Sequence, residues 1–463
     1  MRMFGAVLTS LLLLTGTTPA MAEPVWSPSS IVWGACPDVP DGECGTLRVP
    51  LDWNRPWGSS IDLAVARHRA TDPANRLGVL LVNPGGPGSS NAEFALVPNY
   101  FSPEIRARFD IVGFDLRGTG GSRIVKCEYS AKPPSNEPAD AAQFDALRRY
   151  NQQLIADCRA RNSPIFDHAD TGITAQDMEA VRRALSEQKI NYHGISYGTL
   201  LGQQYAEKFG SRIRAMVLDS NIDHSVDIQH FTADRAAAAD DVFRQFVQWC
   251  DRTTTCALHG QDVMATWQKA LQIADQMPKD HNWLRDWVFS DMYGPDWQDM
   301  AQMIADTAAG KPPASALAEY NYDSIRLATV CQDFDLRIKD FRQYSAIRAE
   351  ELRQGPIMRG GKLGHEEITA CAGIPGPPTN PPHRLNIPQA PMVLLLNSLY
   401  DPATPYAWAR NIQKQAPANT ALLTYEGAGH AVYHRSACTR STVDEYLLSL
   451  RTPRRGATCP AVE

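Results

Sequence analysis

At 463 residues the chain is longer than one ordinary hydrophobic core accommodates, so a large domain with a substantial insertion, or two domains, is expected. A formal net charge of −6 without a basic run argues against nucleic acid or an anionic membrane surface as a partner, and the 43% hydrophobic content is that of a globular chain. The ten cysteines are an even set with no C-x-x-C pair, which fits an oxidising compartment and speaks against zinc or thioredoxin-like chemistry; no cofactor and no metal is expected.

The first residues read as a signal peptide over 1–22. Arg2 supplies a positive start, Phe4 to Leu14 an apolar run, and Ala20-Met21-Ala22 a small-residue cleavage site before Glu23. The run is shorter than the roughly 20 residues a bilayer span needs. No cysteine follows the cleavage site to carry a lipid, so a secreted or periplasmic protein, free of the membrane after cleavage, is the expectation.

Short apolar runs closed by glycine or polar turns then follow in order, as buried parallel strands do. They are Leu77 to Asn83, Phe109 to Asp115, Ile190 to Gly194, Ile213 to Asp219, Pro391 to Asn397 and Thr420 to Tyr425. Helical patterns separate them, among them Thr174 to Leu185, with Thr174 as its expected cap and Asp177 placed to favour the helix dipole. Such alternation specifies an α/β protein with a mostly parallel central sheet flanked by helices. It fails between residues 223 and 385, where Asp234 to Cys250 and Trp297 to Ala309 read as helices and half of the tryptophans fall. This stretch is expected to be a helical cap inserted after the strand that follows the nucleophile; a separate helical domain is the other reading. The α/β core is then 23–222 with a C-terminal part over 386–463.

The nucleophile is read from Gly194-Ile195-Ser196-Tyr197-Gly198, a G-x-S-x-G between a strand run and the helix-like Thr199 to Phe209. A serine on a sharp strand-to-helix turn needs small neighbours because the backbone there is strained. A hydroxyl also needs a base, and the base a carboxylate to orient it. In the α/β-hydrolase fold the chain order is serine, acid, histidine, which Ser196, Asp401 and His430 satisfy from the ends of successive late strands. Asp219 is the rival acid and His434 the rival base; His430 and His434 as a metal pair lack a third ligand.

The oxyanion of acyl transfer needs backbone donors, expected from Tyr197 and from Gly86 in Asn83-Pro84-Gly85-Gly86-Pro87-Gly88. The turn Asp115-Leu116-Arg117-Gly118-Thr119-Gly120-Gly121-Ser122 lacks the lysine and spacing of a phosphate loop and is expected to hold the active-site edge together. Thr404-Pro405 reads as a helix cap followed by proline, with orientation of the triad as a second role for Thr404. Among the cysteines, the simplest of many pairings joins neighbours: Cys36 with Cys44, Cys127 with Cys158, Cys250 with Cys256, Cys331 with Cys371 and Cys438 with Cys459.

Together these motifs resemble the tripeptidyl aminopeptidase, or TAP-like, family of α/β-hydrolases, related to the proline iminopeptidases. The resemblance runs from Cys44-Gly45-Thr46-Leu47-Arg48-Val49-Pro50-Leu51-Asp52-Trp53 through the Gly85-Gly86-Pro87-Gly88 loop, the Gly118-Thr119-Gly120 turn and Asn191 to Gly198, to Asp401-Pro402-Ala403-Thr404-Pro405 and Gly427-Ala428-Gly429-His430. It departs at Pro84, where the iminopeptidase loop has histidine. The resemblance implies a Ser196, Asp401, His430 triad, oxyanion donors at Gly86 and Tyr197, and release of tripeptides or shorter units from peptide substrates with a free N-terminus. A cap carboxylate must then bind the substrate amine, with Asp333 the first candidate and Glu366 and Glu367 behind it. Trp283, Trp287 and Trp297 are candidates for apolar subsites, though packing of the cap's own core suits them better. A carboxylesterase or lipase with the same triad is the alternative, and a non-catalytic binding protein on this fold a further one. Oligomeric state is not legible.

Overall fold

The computed structural model describes residues 26–37, 39–277, 282–311 and 324–462; the expected signal peptide lies outside them. Among the described residues ten strands form one sheet: β1 (Gly34–Ala35), β2 (Gly42–Pro50), β3 (Ser60–His68), β4 (Gly78–Asn83), β5 (Phe109–Phe114), β6 (Ile190–Ile195), β7 (Ile213–Asp219), β8 (Val393–Tyr400), β9 (Thr420–Ala428) and β10 (Thr458–Cys459). Their order is β1-β2-β3-β5-β4-β6-β7-β8-β9-β10. The pairings from β1 to β5 by way of β2 and β3 are antiparallel, and those from β5 through β4 to β10 are parallel. This is the α/β-hydrolase fold.

Strands β4, β5 and β6 are buried at every residue because both faces of the sheet are covered. Side chains alternate across the sheet, so Val79 and Leu81 join one apolar cluster and Leu80 and Val82 another. Before β7 the covering helices are α1 (Asn91–Ala95), α2 (Pro103–Arg108), α3 (Ala141–Asn162), α4 (Thr171–Ala184) and α5 (Tyr197–Phe209). The last two helices, α13 (Tyr406–Gln415) and α14 (Ala437–Ser449), follow β8 and β9.

Between β7 and β8 the described residues form α6 (Ile228–Arg252), α7 (Val263–Ala274), α8 (Trp283–Asp291), α9 (Trp297–Ala308), α10 (Ser324–Asp333), α11 (Phe341–Gln354) and α12 (Lys362–Cys371). Phe231, near the start of α6, packs into the sheet's cluster. Val242, Phe243 and Phe246, further along the same helix, join a separate apolar core with Trp267, Leu271, Met300 and Ile304. The insertion thus has a core of its own, built mainly from α6 to α9, and joins the sheet's cluster through the start of α6 and through Ile325, Ala328, Tyr344, Ile347 and Ile368 of α10, α11 and α12. Trp283 is buried in that second core, and Trp287 and Trp297 pack against it.

Five disulfides join the cysteines to their neighbours in the chain, Cys36–Cys44, Cys127–Cys158, Cys250–Cys256, Cys331–Cys371 and Cys438–Cys459. Cys331–Cys371, with a sequence separation of 40, ties the end of α10 to the end of α12. On the loop-entropy account a closure of that length contributes about 4 kcal/mol. Among the described residues no helix is long and apolar enough to cross a membrane.

Three local expectations are corrected. Helix α4 starts a turn before Thr174, because the Asp170 side chain accepts the Ile173 N–H and takes the cap position. Asp177 does not serve the helix dipole: it forms a two-pronged ion pair with Arg117, at 2.5 and 2.6 Å, with neither side chain exposed. Arg117 also donates to the carbonyls of Pro50 and Leu51, which ties its turn to the end of β2. Thr404 does not cap α13, whose N-cap position is Pro405.

Candidate active site

Strand β6 runs directly into Ser196, whose φ of 55° and ψ of −120° leave the ordinary regions for a residue with a Cβ. Such strain, about 1–3 kcal/mol, persists only where the surroundings enforce it. The enforcement is steric: a Cβ at position 194 would lie 2.4 Å from the Gly198 carbonyl oxygen, and one at position 198 would lie 2.8 Å from that of Asn83. Gly85 closes the same contact from the other side, since a Cβ there would come within 2.9 Å of the Ser196 Cβ. The Ser196 N–H is held by the Asp219 carbonyl at 2.9 Å. Tyr197 is the first residue of α5, so its N–H has no acceptor within the helix.

Asp401 and His430 follow β8 and β9, which pair in parallel, and their side chains meet. His430 Nδ1 lies 3.0 Å from each Asp401 carboxylate oxygen. Three further donors fix that carboxylate: the N–H groups of Ala403 and Thr404 at 2.9 and 2.8 Å, and the Thr404 hydroxyl at 2.8 Å. Burial alone raises a carboxyl pKa; here His430 and these hydrogen bonds outweigh it and hold Asp401 below its ordinary value. The Thr404 hydroxyl is therefore committed to the acid, and its oxygen lies 3.5 Å from His430 Nδ1.

Asp219, the rival acid, serves the next loop. Its carboxylate accepts the N–H groups of Val432, at 2.7 and 2.9 Å, and Tyr433, at 2.9 Å, while Ser220 Oγ accepts that of Ala431. Burial pushes its carboxyl up to about 6 despite those donors. His434 packs edge-on against Tyr100 and Tyr433 instead of facing Asp401.

The insertion reaches this site directly. Tyr293, between α8 and α9, sets its ring 4.8 Å from that of His430, edge to face, and its carbonyl accepts the His430 N–H at 2.9 Å. Arg235 of α6 is stacked on Phe231 and Trp408 and donates from Nε to the Ala403 carbonyl at 3.0 Å and from Nη1 to Glu367 at 2.5 Å. Arg326 of α10 donates to the other Glu367 oxygen and, at 3.1 Å, to the Gly86 carbonyl. These residues carry little sequence signal. Arg235 does stand on an apolar stripe with Phe231 and Ala239 at helical spacing, and a cation on such a stripe needs a buried partner.

The three candidate acids for the substrate amine are not brought together. Asp333 is 0% exposed. Thr171 N–H, Thr171 Oγ1 and Asn380 Nδ2 occupy its carboxylate at 2.9, 2.6 and 2.9 Å, and burial raises its pKa to about 7. The same Thr171 hydroxyl lies 2.7 Å from the Tyr197 phenol, so Asp333 braces the α4 to α5 contact and does not face a cleft. Glu367 is locked between its two arginines. Glu366 remains partly exposed and lines a pocket with Phe289, Lys362 and Arg285; burial raises its carboxyl to about 7.

A family profile described as TAP-like protein matches residues 358–459. Serine protease Hip1 of Mycobacterium tuberculosis is 29% identical over 507 residues, 98% of this chain and 95% of that one. Tripeptidyl aminopeptidase of Streptomyces lividans is 28% identical over 452 residues, 90% of this chain and 83% of that one. Carboxylesterase B of Mycobacterium tuberculosis is 30% identical over 504 residues, with 96% and 92% covered. The chain belongs to the TAP-like family of α/β-hydrolases.

Proposed function

We propose that the chain is an exported serine exopeptidase that releases tripeptides or shorter units from polypeptide N-termini. The supporting observation is the Asp401–His430 pair at the ends of β8 and β9, in the same sheet as the strained Ser196 turn. In this reading His430 Nε2 takes the Ser196 proton as Oγ attacks the scissile carbonyl. Asp401 holds Nδ1 protonated and stabilises the imidazolium. The N–H groups of Gly86 and Tyr197 receive the oxyanion, a donor pair whose members each contribute on the order of 10²–10³ in rate. Collapse expels the shortened polypeptide's amine, which His430 protonates, and water then hydrolyses the acyl-enzyme by the same route. Export rests on the leader over 1–22 and on the five disulfides.

Residues 223–385 act as the cap in this account, and Glu366 takes the role first given to Asp333, since Asp333 and Glu367 already have partners. A half-buried carboxyl gains most from an incoming ammonium, which restores its charge and its hydrogen bonding together. The test is a fluorophosphonate probe followed by a paired assay. Wild-type protein is labelled, Ser196→Ala is not, and a tripeptide anilide is hydrolysed far faster than its N-acetyl twin. Labelling of Ser196→Ala would remove the nucleophile assignment. Equal rates on both anilides would favour the second reading, a carboxylesterase, which the relative named Carboxylesterase B supports.

A further inference from the structure

Glu367, Arg235 and Arg326 come from three different helices of the insertion, and their side chains are only 3%, 5% and 14% exposed. A buried carboxylate between two guanidinium groups is costly to assemble and costlier to break, because removing one partner strands a charge. Burial against charge alone does not explain the geometry, however. Each arginine extends past the carboxylate to a backbone carbonyl of the sheet's C-terminal edge, Arg326 to Gly86 and Arg235 to Ala403.

Those two carbonyls sit in the two loops whose alignment the chemistry requires. Gly86 has a φ of +110° and no side chain, so its peptide planes turn easily unless an outside group fixes them. Ala403 lies in the turn whose N–H groups hold Asp401, so fixing its carbonyl fixes the acid that orients His430. One carboxylate therefore links the oxyanion loop to the acid loop, through groups that neither loop supplies. The Cys331–Cys371 disulfide joins the helices that carry Arg326 and Glu367 and limits their relative movement.

We infer that Arg326, Glu367 and Arg235 are positioning residues of the insertion that set the oxyanion loop and the acid loop together, so that the catalytic geometry exists only when the insertion is seated. The inference rests on the roles given above to Ser196, Gly86 and Asp401.

The experiment compares wild type, Arg326→Ala and Arg326→Lys on a small p-nitrophenyl ester, with inhibition by a trifluoromethyl ketone that forms a tetrahedral adduct. Lysine keeps a positive charge for Glu367, but its single ammonium lacks the fork that serves the carboxylate and Gly86 at once. Arg326→Ala should lower kcat by tenfold to a hundredfold with KM changed less than twofold, and should weaken the ketone by the same factor as kcat/KM. Arg326→Lys should fall between alanine and wild type. Should the alanine variant not fold, the lysine variant carries the comparison. Unchanged kcat in a folded variant, a loss confined to KM, or failure of both variants to fold would each overturn the inference, the last by making the arginine a purely structural residue. Ser196→Ala is run beside them: residual ester hydrolysis there would count against the nucleophile and not against the clamp.

Discussion

The sheet and the helical insertion present their chemistry in different ways. Ser196, Asp401 and His430 stand on loops whose positions follow from adjacent parallel strands, so neighbouring register brings them to one edge. The insertion contributes Tyr293, Arg235, Arg326 and Glu367 from segments far apart in the chain: Tyr293 packs against the second apolar core, while Phe231, Ile325, Leu327 and Ile368, beside the other three, join the sheet's own cluster. The comparison teaches a division of labour. In the proposed reading the sheet supplies the reacting groups, and the insertion supplies alignment and the choice of substrate.

The division can be tested by steps of decreasing size. Ser196→Ala should cost on the order of 10⁶ in kcat with the fold intact, read by ester hydrolysis and circular dichroism. Asp401→Asn should cost about 10⁴ while Asp219→Asn costs no more than about tenfold, because Asp401 holds the imidazole and Asp219 holds the backbone N–H groups of Val432 and Tyr433, which an amide oxygen still accepts, and the Ser220 hydroxyl at 3.4 Å. Comparable losses for the two would erase the distinction between acid and loop brace.

Trp267→Ala probes the other region. The indole is fully buried in the insertion's core and donates to the Ile357 carbonyl at 2.9 Å. Its removal should cost about 3–5 kcal/mol in denaturant unfolding. It should also open the insertion in a transition that precedes that of the sheet; a single unshifted transition would mean that the two cores unfold as one.

The smallest step concerns Glu366. Its carboxyl, held up near 7 by burial, is neutral at lower pH and cannot pair with an ammonium there. KM for a free-amine tripeptide should therefore rise as pH falls below about 7, and rise again above the amine's own pKa of about 8. Glu366→Gln should raise KM about tenfold near neutrality, or about 1.4 kcal/mol, and flatten the acidic limb. An unchanged acidic limb in that variant would move amine recognition elsewhere.

The parallel part of the sheet was legible from sequence because β4 to β9 are short apolar runs ending in turns, and chain order pointed to Asp401 and His430, whose side chains meet; β1, β2, β3 and β10 lack that pattern. Boundaries slipped where a side chain took a partner other than the helix end, whether close in the chain or distant. Thr404 reads as a cap but binds Asp401, and Asp177 reads as a dipole partner but binds Arg117. The insertion was legible as helices and not as a site. Asp333 reads as the first candidate for the amine, but Thr171 and Asn380, from distant parts of the chain, occupy its carboxylate. Arg326 and Tyr293 lack a local pattern, because their role depends on loops more than a hundred residues away along the chain.

The most direct measurement is the ratio of kcat/KM for a tripeptide anilide to that for its N-acetyl counterpart, taken at neutral pH on wild type and on Glu366→Gln. The account expects a ratio of at least about a hundredfold in the wild type, or about 2.7 kcal/mol, falling about tenfold in the variant, with ester turnover retained in both. A wild-type ratio near one would contradict it and leave a serine hydrolase whose insertion does not read the amine.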